Sequence, residues 1–267
     1  KGVDMYPIIS LFGLSLGTYG ICCVIGGALA IWLAIRNGKR FQQDRFAMLE
    51  ACVWALIGGF LGAKLLYLLV SFSDIVEMFQ TSGFNWNTIS SLLEGGFVFY
   101  GGLLGGLAAL LLYLHHFQLP YGVYLSSITP AVPLAHAFGR IGCFFAGCCY
   151  GIPYDPPIGI CLKNAIGTAP TDIPLFPVQL LESGLDFLLA GLLQLCFRKR
   201  TRKTDVIPFY CIGYAGIRLF TERFRYDTER GIYFGLATSE WISLALAICG
   251  VLLLLVPSLR RKRASHS

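Results

Sequence analysis

Arg140 and Arg218 each stand within apolar sequence, and Glu222 follows Arg218 by four residues. A charge in such surroundings must face a partner, a cavity or an interface. The planar guanidinium fork binds oxygens in pairs and suits a lipid phosphate. Residues four apart share a helical face, so Glu222 is expected to neutralise Arg218 in part and leave Arg140 as the freer anion ligand. His136 precedes Arg140 by four residues. Its imidazole suits either a general base or a packed, hydrogen-bonded histidine. Gln179 and Glu182 are one turn apart just after Pro177. They either line the same pocket or serve a helix start, where proline and acidic side chains are favoured.

Two further stretches are unusual in residue type. The run from Glu94 to Gly106 is dense in glycine and contains Tyr100, Gly101 and Gly102. Glycine there serves either close helix packing or approach of the backbone to a lipid headgroup. Cys143, Cys148, Cys149 and Cys161 fall in or beside one loop. They read as a structural disulfide, as buried thiols, or as a metal or catalytic thiol site, although the spacing fits no common zinc pattern. The other six cysteines lie in apolar stretches and read as small buried hydrophobes.

These side chains need elements to hold them. Only 13% of the 267 residues are charged and 55% are hydrophobic, with mean hydropathy +0.66. That balance points to an all-α polytopic membrane bundle rather than a soluble domain. Seven apolar stretches are expected to cross, at roughly 11–35, 47–70, 97–117, 123–141, 177–197, 205–222 and 239–257. Pro130, Pro133 and Pro208 interrupt the fourth and sixth. Three basic clusters follow alternate spans: Arg36 to Arg45, Arg198 to Lys203, and Arg260 to Arg263. Basic residues mark the cytoplasmic side, so the N-terminus is expected outside and the C-terminus inside. Arg140, Arg218, Glu222 and Tyr100 then share one depth near the outer face and are expected to line one polar pocket. Residues 5–263 read as a single domain, 264–267 as a cytoplasmic tail, and 1–4, ahead of Met5, as foreign to the native chain. The net charge of +6 belongs to the flanking clusters, and no nucleic-acid motif is present.

Five motifs in order resemble the prolipoprotein diacylglyceryl transferase family. Thr18-Tyr19-Gly20 is similar to its early Tyr-Gly motif, and Ser91 to Gly102 to its glycine-rich segment. Gly139-Arg140-Ile141-Gly142, continuing to Gly151, resembles its signature. Pro177, Gln179, Leu180 and Glu182 match a Pro-x-Gln-Leu-x-Glu pattern, and Tyr214 to Asp227 resembles its final Arg-Phe-x-x-Glu-Phe motif. Departures are local. The family commonly has His at Tyr100, Asn at Cys143 and Ala146, Glu at Cys148, and often His at Phe176.

The resemblance implies a bacterial inner-membrane enzyme with its active site toward the outer face. It implies phosphatidylglycerol, or a related phospholipid, as donor and the cysteine of a prolipoprotein lipobox peptide as acceptor, with no metal or soluble cofactor. Arg140 and Arg218 would hold the phosphate, Glu222 would orient Arg218, and Tyr19 and Tyr100 would donate hydrogen bonds. His136 would stand in as the base. Gly101, Gly102, Gly139, Cys143, Gly151, Gln179 and Glu182 would line the substrate site. The altered positions keep three other readings open: a related transferase with another acceptor, an outside-facing thiol oxidoreductase built on Cys143, Cys148 and Cys149, and a non-catalytic lipid-binding or transport protein.

Overall fold

The computed structural model describes residues 2–4, 6–11, 14–94, 98–165, 169–199, 206–226 and 232–264. Gly95 and Gly96 of the glycine run, Arg200, Arg202 and Lys203 of the second basic cluster, and Asp227 of the last motif lie outside the described residues. The chain begins with β1 (Gly2–Asp4), β2 (Ile8–Leu11) and β3 (Leu14–Gly17). Helices α1 (Thr18–Lys39), α2 (Arg45–Val70), α3 (Phe72–Ser82), α4 (Trp86–Glu94), α5 (Phe99–His116), α6 (Tyr121–Ile128) and α7 (Ala131–Ala146) follow. After β4 (Cys161–Lys163) come α8 (Val178–Lys199) and α9 (Val206–Glu222). The hairpin of β5 (Ile232–Tyr233) and β6 (Leu236–Ala237) leads into α10 (Thr238–Ala264).

Among the described residues, four helical segments are long and apolar enough to cross a membrane: Thr18–Lys39, Arg45–Val70, Val178–Lys199 and Thr238–Leu255. Their outward faces are apolar. On α2, Leu56, Phe60 and Leu65 are each more than half exposed. Such a surface is unfavourable in water and is expected against lipid. The mostly helical chain is therefore an integral membrane protein. Helices α5 and α9, with 18 and 17 residues, cover the third and sixth expected spans.

Two expected spans are redrawn. The first starts at Thr18 rather than residue 11, because β2 and β3 pair as an antiparallel hairpin. The Thr18 N–H closes that hairpin onto the Pro7 carbonyl at 2.9 Å. The fourth is two helices, with the break at Thr129-Pro130. Proline has no N–H to continue the helical ladder, and α7 restarts at Ala131 and runs on to Ala146. Arg140 consequently lies inside α7 rather than at its end. Pro133 and Pro208 fall in first helical turns, where a missing N–H costs little. Residues 2–4, expected to be foreign to the chain, pair in parallel with Cys161–Lys163.

The chain divides into two compact units, residues 38–124 and residues 1–37 with 125–267. In the first, α2 and α5 pack through glycine. A Cβ on Gly105 would come within 2.9 Å of the Gly62 Cα, and one on Gly101 would collide with the Gly62 carbonyl. Only hydrogen side chains permit that approach. The Tyr113 hydroxyl donates to Glu50 at 2.8 Å beside this seam.

In the second unit, α8 packs between α7 and α9, and α10 packs on α9. Gly26 on α1 lies against Phe138 of α7, where an added Cβ would stand 2.6 Å from the phenylalanine Cβ. Asn37 and Gln194 exchange side-chain hydrogen bonds of 3.0 and 2.7 Å, which tie α1 to α8. Asn37 also donates to the Ser127 carbonyl at 3.0 Å. Beyond α7, a small core of Phe144, Tyr150, Leu162, Ala169 and Leu175 closes the same unit.

Candidate active site

Helices α7, α8 and α9 each supply part of one buried charged cluster. Polar residues recur along α8 as Gln179, Glu182, Ser183 and Asp186. This i, i+3, i+4, i+7 spacing makes one stripe, and all four are almost fully buried. Ser183 fixes the stripe against α7 by donating to the Ala137 carbonyl at 3.0 Å. Glu182 sits at the centre of the cluster and is 1% exposed. Its Oε1 lies 3.1 Å from Arg140 Nε and 3.5 Å from Arg218 Nη1. Its Oε2 lies 4.0 Å from Arg225 Nη1. Arg218 Nη2 meets Glu222 Oε2 at 2.8 Å, the expected pair four residues apart.

Arg140 meets one carboxylate where Arg218 meets two, so it is the less neutralised of the two arginines but not an unpaired one. It shares one carboxylate with Arg218, from a helix that local spacing could not connect to either. Three guanidiniums meet Glu182 and Glu222 at ion-pair distance, and the Asp186 carboxylate lies within 4.8 Å of that of Glu182, so the cluster gathers three formal charges of each sign around His136. Desolvating each ion costs several kcal/mol, which contacts to opposite charges offset in part. Some polar atoms meet at ion-pair distance without hydrogen-bond alignment, Arg140 Nε and Arg218 Nη1 among them. Guanidinium donors left unaligned suit an incoming anion.

His136 stands one turn before Arg140, with Nδ1 3.0 Å from Asp186 Oδ2. Its ring also packs against Tyr214, with centroids 5.3 Å apart. Asp186 thereby holds the imidazole through Nδ1. Sequence reasoning missed Asp186 and Arg225. The α8 stripe carries the signal for Asp186. Arg225 has no comparable signal, because a backbone crossing brings it in.

That crossing depends on Gly151. The 150–152 segment runs between residues 176 and 224–226, with Ile152 N–H to the Phe224 carbonyl at 2.9 Å and Phe176 N–H to the Ile152 carbonyl at 2.8 Å. A Cβ on Gly151 would stand 2.8 Å from the Phe224 oxygen and closer still to that of Phe176. Its role is close backbone approach, which pairs Gly151 with Arg225.

The remaining expected site residues divide in the same way. Gln179 donates to the Cys148 carbonyl at 2.8 Å, so its amide clamps the loop after α7. Tyr19 packs on Gly142, where an added Cβ would lie 3.0 Å from its ring. Gly139, next to Arg140, has nothing within 4 Å of an added Cβ and leaves open space there. Gly101 and Gly102 face α2, which assigns them to helix packing. Tyr100 is half-buried in the first turn of α5, in the other compact unit. Cys143 is buried at the end of α7, and all ten cysteines carry free thiols.

The family model for prolipoprotein diacylglyceryl transferase matches residues 7–256. The chain belongs to that family. Among its diacylglyceryl transferase relatives, the phosphatidylglycerol–prolipoprotein diacylglyceryl transferase of Clostridium tetani (strain Massachusetts / E88) is 35% identical over 259 residues, covering 97% of this chain and all of the relative. Phosphatidylglycerol–prolipoprotein diacylglyceryl transferase 2 of Clostridium perfringens (strain 13 / Type A) is 32% identical, with 95% of each chain covered. That of Finegoldia magna (strain ATCC 29328 / DSM 20472 / WAL 2508) is 28% identical over 91% of this chain and 92% of the relative.

Proposed function

We propose that this chain transfers the diacylglyceryl group of phosphatidylglycerol to the cysteine thiol of a prolipoprotein, with the Glu182-centred cluster as its phosphate site. The observation that carries the reading is the convergence of Arg140, Arg218 and Arg225 on one buried carboxylate inside an apolar bundle. Membership of the family and the names of its relatives support the same donor and acceptor.

In this reading Arg140 and Arg218 bind the donor phosphate, and Gly139 leaves room for the headgroup beside them. The acceptor thiol loses its proton to His136, which Asp186 orients. The thiolate attacks the glyceryl carbon. A carbon–sulfur bond forms, the carbon–oxygen bond to phosphate breaks, and the electron pair leaves on glycerol phosphate. The guanidiniums stabilise that developing charge in a water-poor site. Tyr19 supplies a hydrogen bond to the substrates.

Residues 5–263 act as one transferase domain with seven crossings, the N-terminus outside and the C-terminus cytoplasmic. Basic residues at the ends of α1, α8 and α10 support this orientation. The site then opens toward the outer face of the bacterial inner membrane.

The test is the full chain reconstituted with phosphatidylglycerol and a lipobox peptide, followed by mass spectrometry beside Arg140→Ala. A diacylglyceryl adduct on the peptide cysteine, lost in the variant, is the expected result. Donor consumption with an unmodified peptide would reassign the acceptor, and an intact donor would remove the transferase reading.

A further inference from the structure

Three cysteine side chains converge where α7 ends. Cys143 lies on its last turn. Gly147 closes the helix in the left-handed conformation, at φ +71°. The Cys148 N–H returns to the Cys143 carbonyl at 3.1 Å and the Gly147 N–H to the Phe144 carbonyl at 3.1 Å. This six-to-one and five-to-two pair of bonds is a Schellman closure, which folds the chain back over the last turn. It brings Cys148 and Cys149 onto Cys143, and all three Sγ atoms lie within 4.8 Å of one another.

The arrangement is held from several sides. Gln179 grips the Cys148 carbonyl from α8 at 2.8 Å. Cys149 adopts a left-handed backbone, φ +56°, which a residue with a side chain rarely takes without compensation. Cys143 is buried and the other two are half-buried. Arg140 faces all three thiols electrostatically, and Arg225 also faces Cys149.

We infer that Cys143, Cys148 and Cys149 form a tris-thiolate site for a thiophilic closed-shell metal ion of the Zn(II), Cd(II) or Cu(I) class. Zinc–sulfur bonds of about 2.3 Å in tetrahedral geometry set the sulfurs about 3.8 Å apart. The three sulfurs therefore need to close by no more than about 1 Å from their present limit. Soft ions prefer thiolate, and a third ligand distinguishes this site from a disulfide, which would engage two sulfurs and leave the third unexplained. Binding one divalent ion releases three protons and leaves a complex of charge −1. Arg140 and Arg225 stand where that charge would be. The family resemblance puts Asn at Cys143 and Glu at Cys148, so two hard donors are here replaced by soft ones beside a third. The inference is independent of the transferase reading, since metal uptake is read without either substrate.

The experiment uses the full chain in detergent, reduced with a phosphine, stripped with a chelator and kept free of oxygen. Cd(II) is titrated in while the ultraviolet thiolate-to-cadmium charge-transfer band is followed. The expected result is a band saturating at one ion per chain, with the intensity of three thiolates, displaced by Zn(II). Cys148→Ser and Cys149→Ser should each remove the tight phase, whereas Cys196→Ser and Cys249→Ser should leave it intact. Far-ultraviolet circular dichroism and size exclusion establish that the variants are folded. A reduced wild type without saturable uptake overturns the proposal. So does a band that survives both Cys148→Ser and Cys149→Ser.

Discussion

Arg140 Nε lies 3.1 Å from Glu182 Oε1, which joins α7 to α8 through a pair of buried charges. Glu182 also faces Arg218 and Arg225, so one carboxylate organises three cations from separate parts of the chain. Glu182→Gln is nearly isosteric but leaves Arg140 and Arg225 without this counter-ion. Removing one partner of a buried ion pair costs about 3–5 kcal/mol. The thermal midpoint in detergent should fall, and lipid transfer should be lost. A variant of unchanged midpoint would show that the charges are solvated rather than paired.

Arg140→Lys keeps the charge but loses the planar fork. If Arg140 binds developing phosphate charge, kcat/KM for phosphatidylglycerol should fall by about 10²–10³-fold, with Arg140→Ala lower still. Equal activity of the lysine variant and wild type would leave Arg140 a purely electrostatic role.

In the proposed reaction Asp186 acts through His136, its partner at 3.0 Å, rather than on substrate. Asp186→Asn should reduce kcat by about 10²-fold or more while the KM for donor lipid changes little. His136→Gln should give the same split, and the double variant should be no worse than either single one. Additive losses would separate the two residues and remove the dyad.

Gly151 has no room for a side chain between the Phe176 and Phe224 carbonyls. Gly151→Val should push Arg225 away from Glu182 and lower transfer activity, measured by peptide lipidation. Gly139→Ala, by contrast, meets no atom within 4 Å and should fold normally. A loss of donor affinity in Gly139→Ala would mark that space as part of the headgroup site.

The α2–α5 seam gives a stability contrast without chemistry. Gly62→Leu places a branched side chain against Gly101 and Gly105 and should destabilise by about 1–3 kcal/mol or more. Gly27→Ala on α1 has open space and should be neutral or raise the midpoint slightly. Thermal unfolding in one detergent decides both.

The amino-acid sequence by itself determined which stretches are helical and apolar, which polar residues are stranded within them, and which family they resemble. These properties are local: hydropathy follows composition over about 20 residues, and spacing of three or four gives the helical face. The Arg218–Glu222 pair was legible for that reason. Partners across helices were not. Glu182 as shared counter-ion, Asp186 behind His136 and Arg225 beside Gly151 depend on how α7, α8 and α9 pack, and on a backbone crossing of residues far apart in the chain. The glycine run shows the same division. Its composition permitted two roles, and only the approach of α2 to α5 assigned Gly101 and Gly102 to packing. The cysteines converge because Gly147 turns the chain back over the last turn of α7, a three-dimensional closure that their spacing alone did not specify.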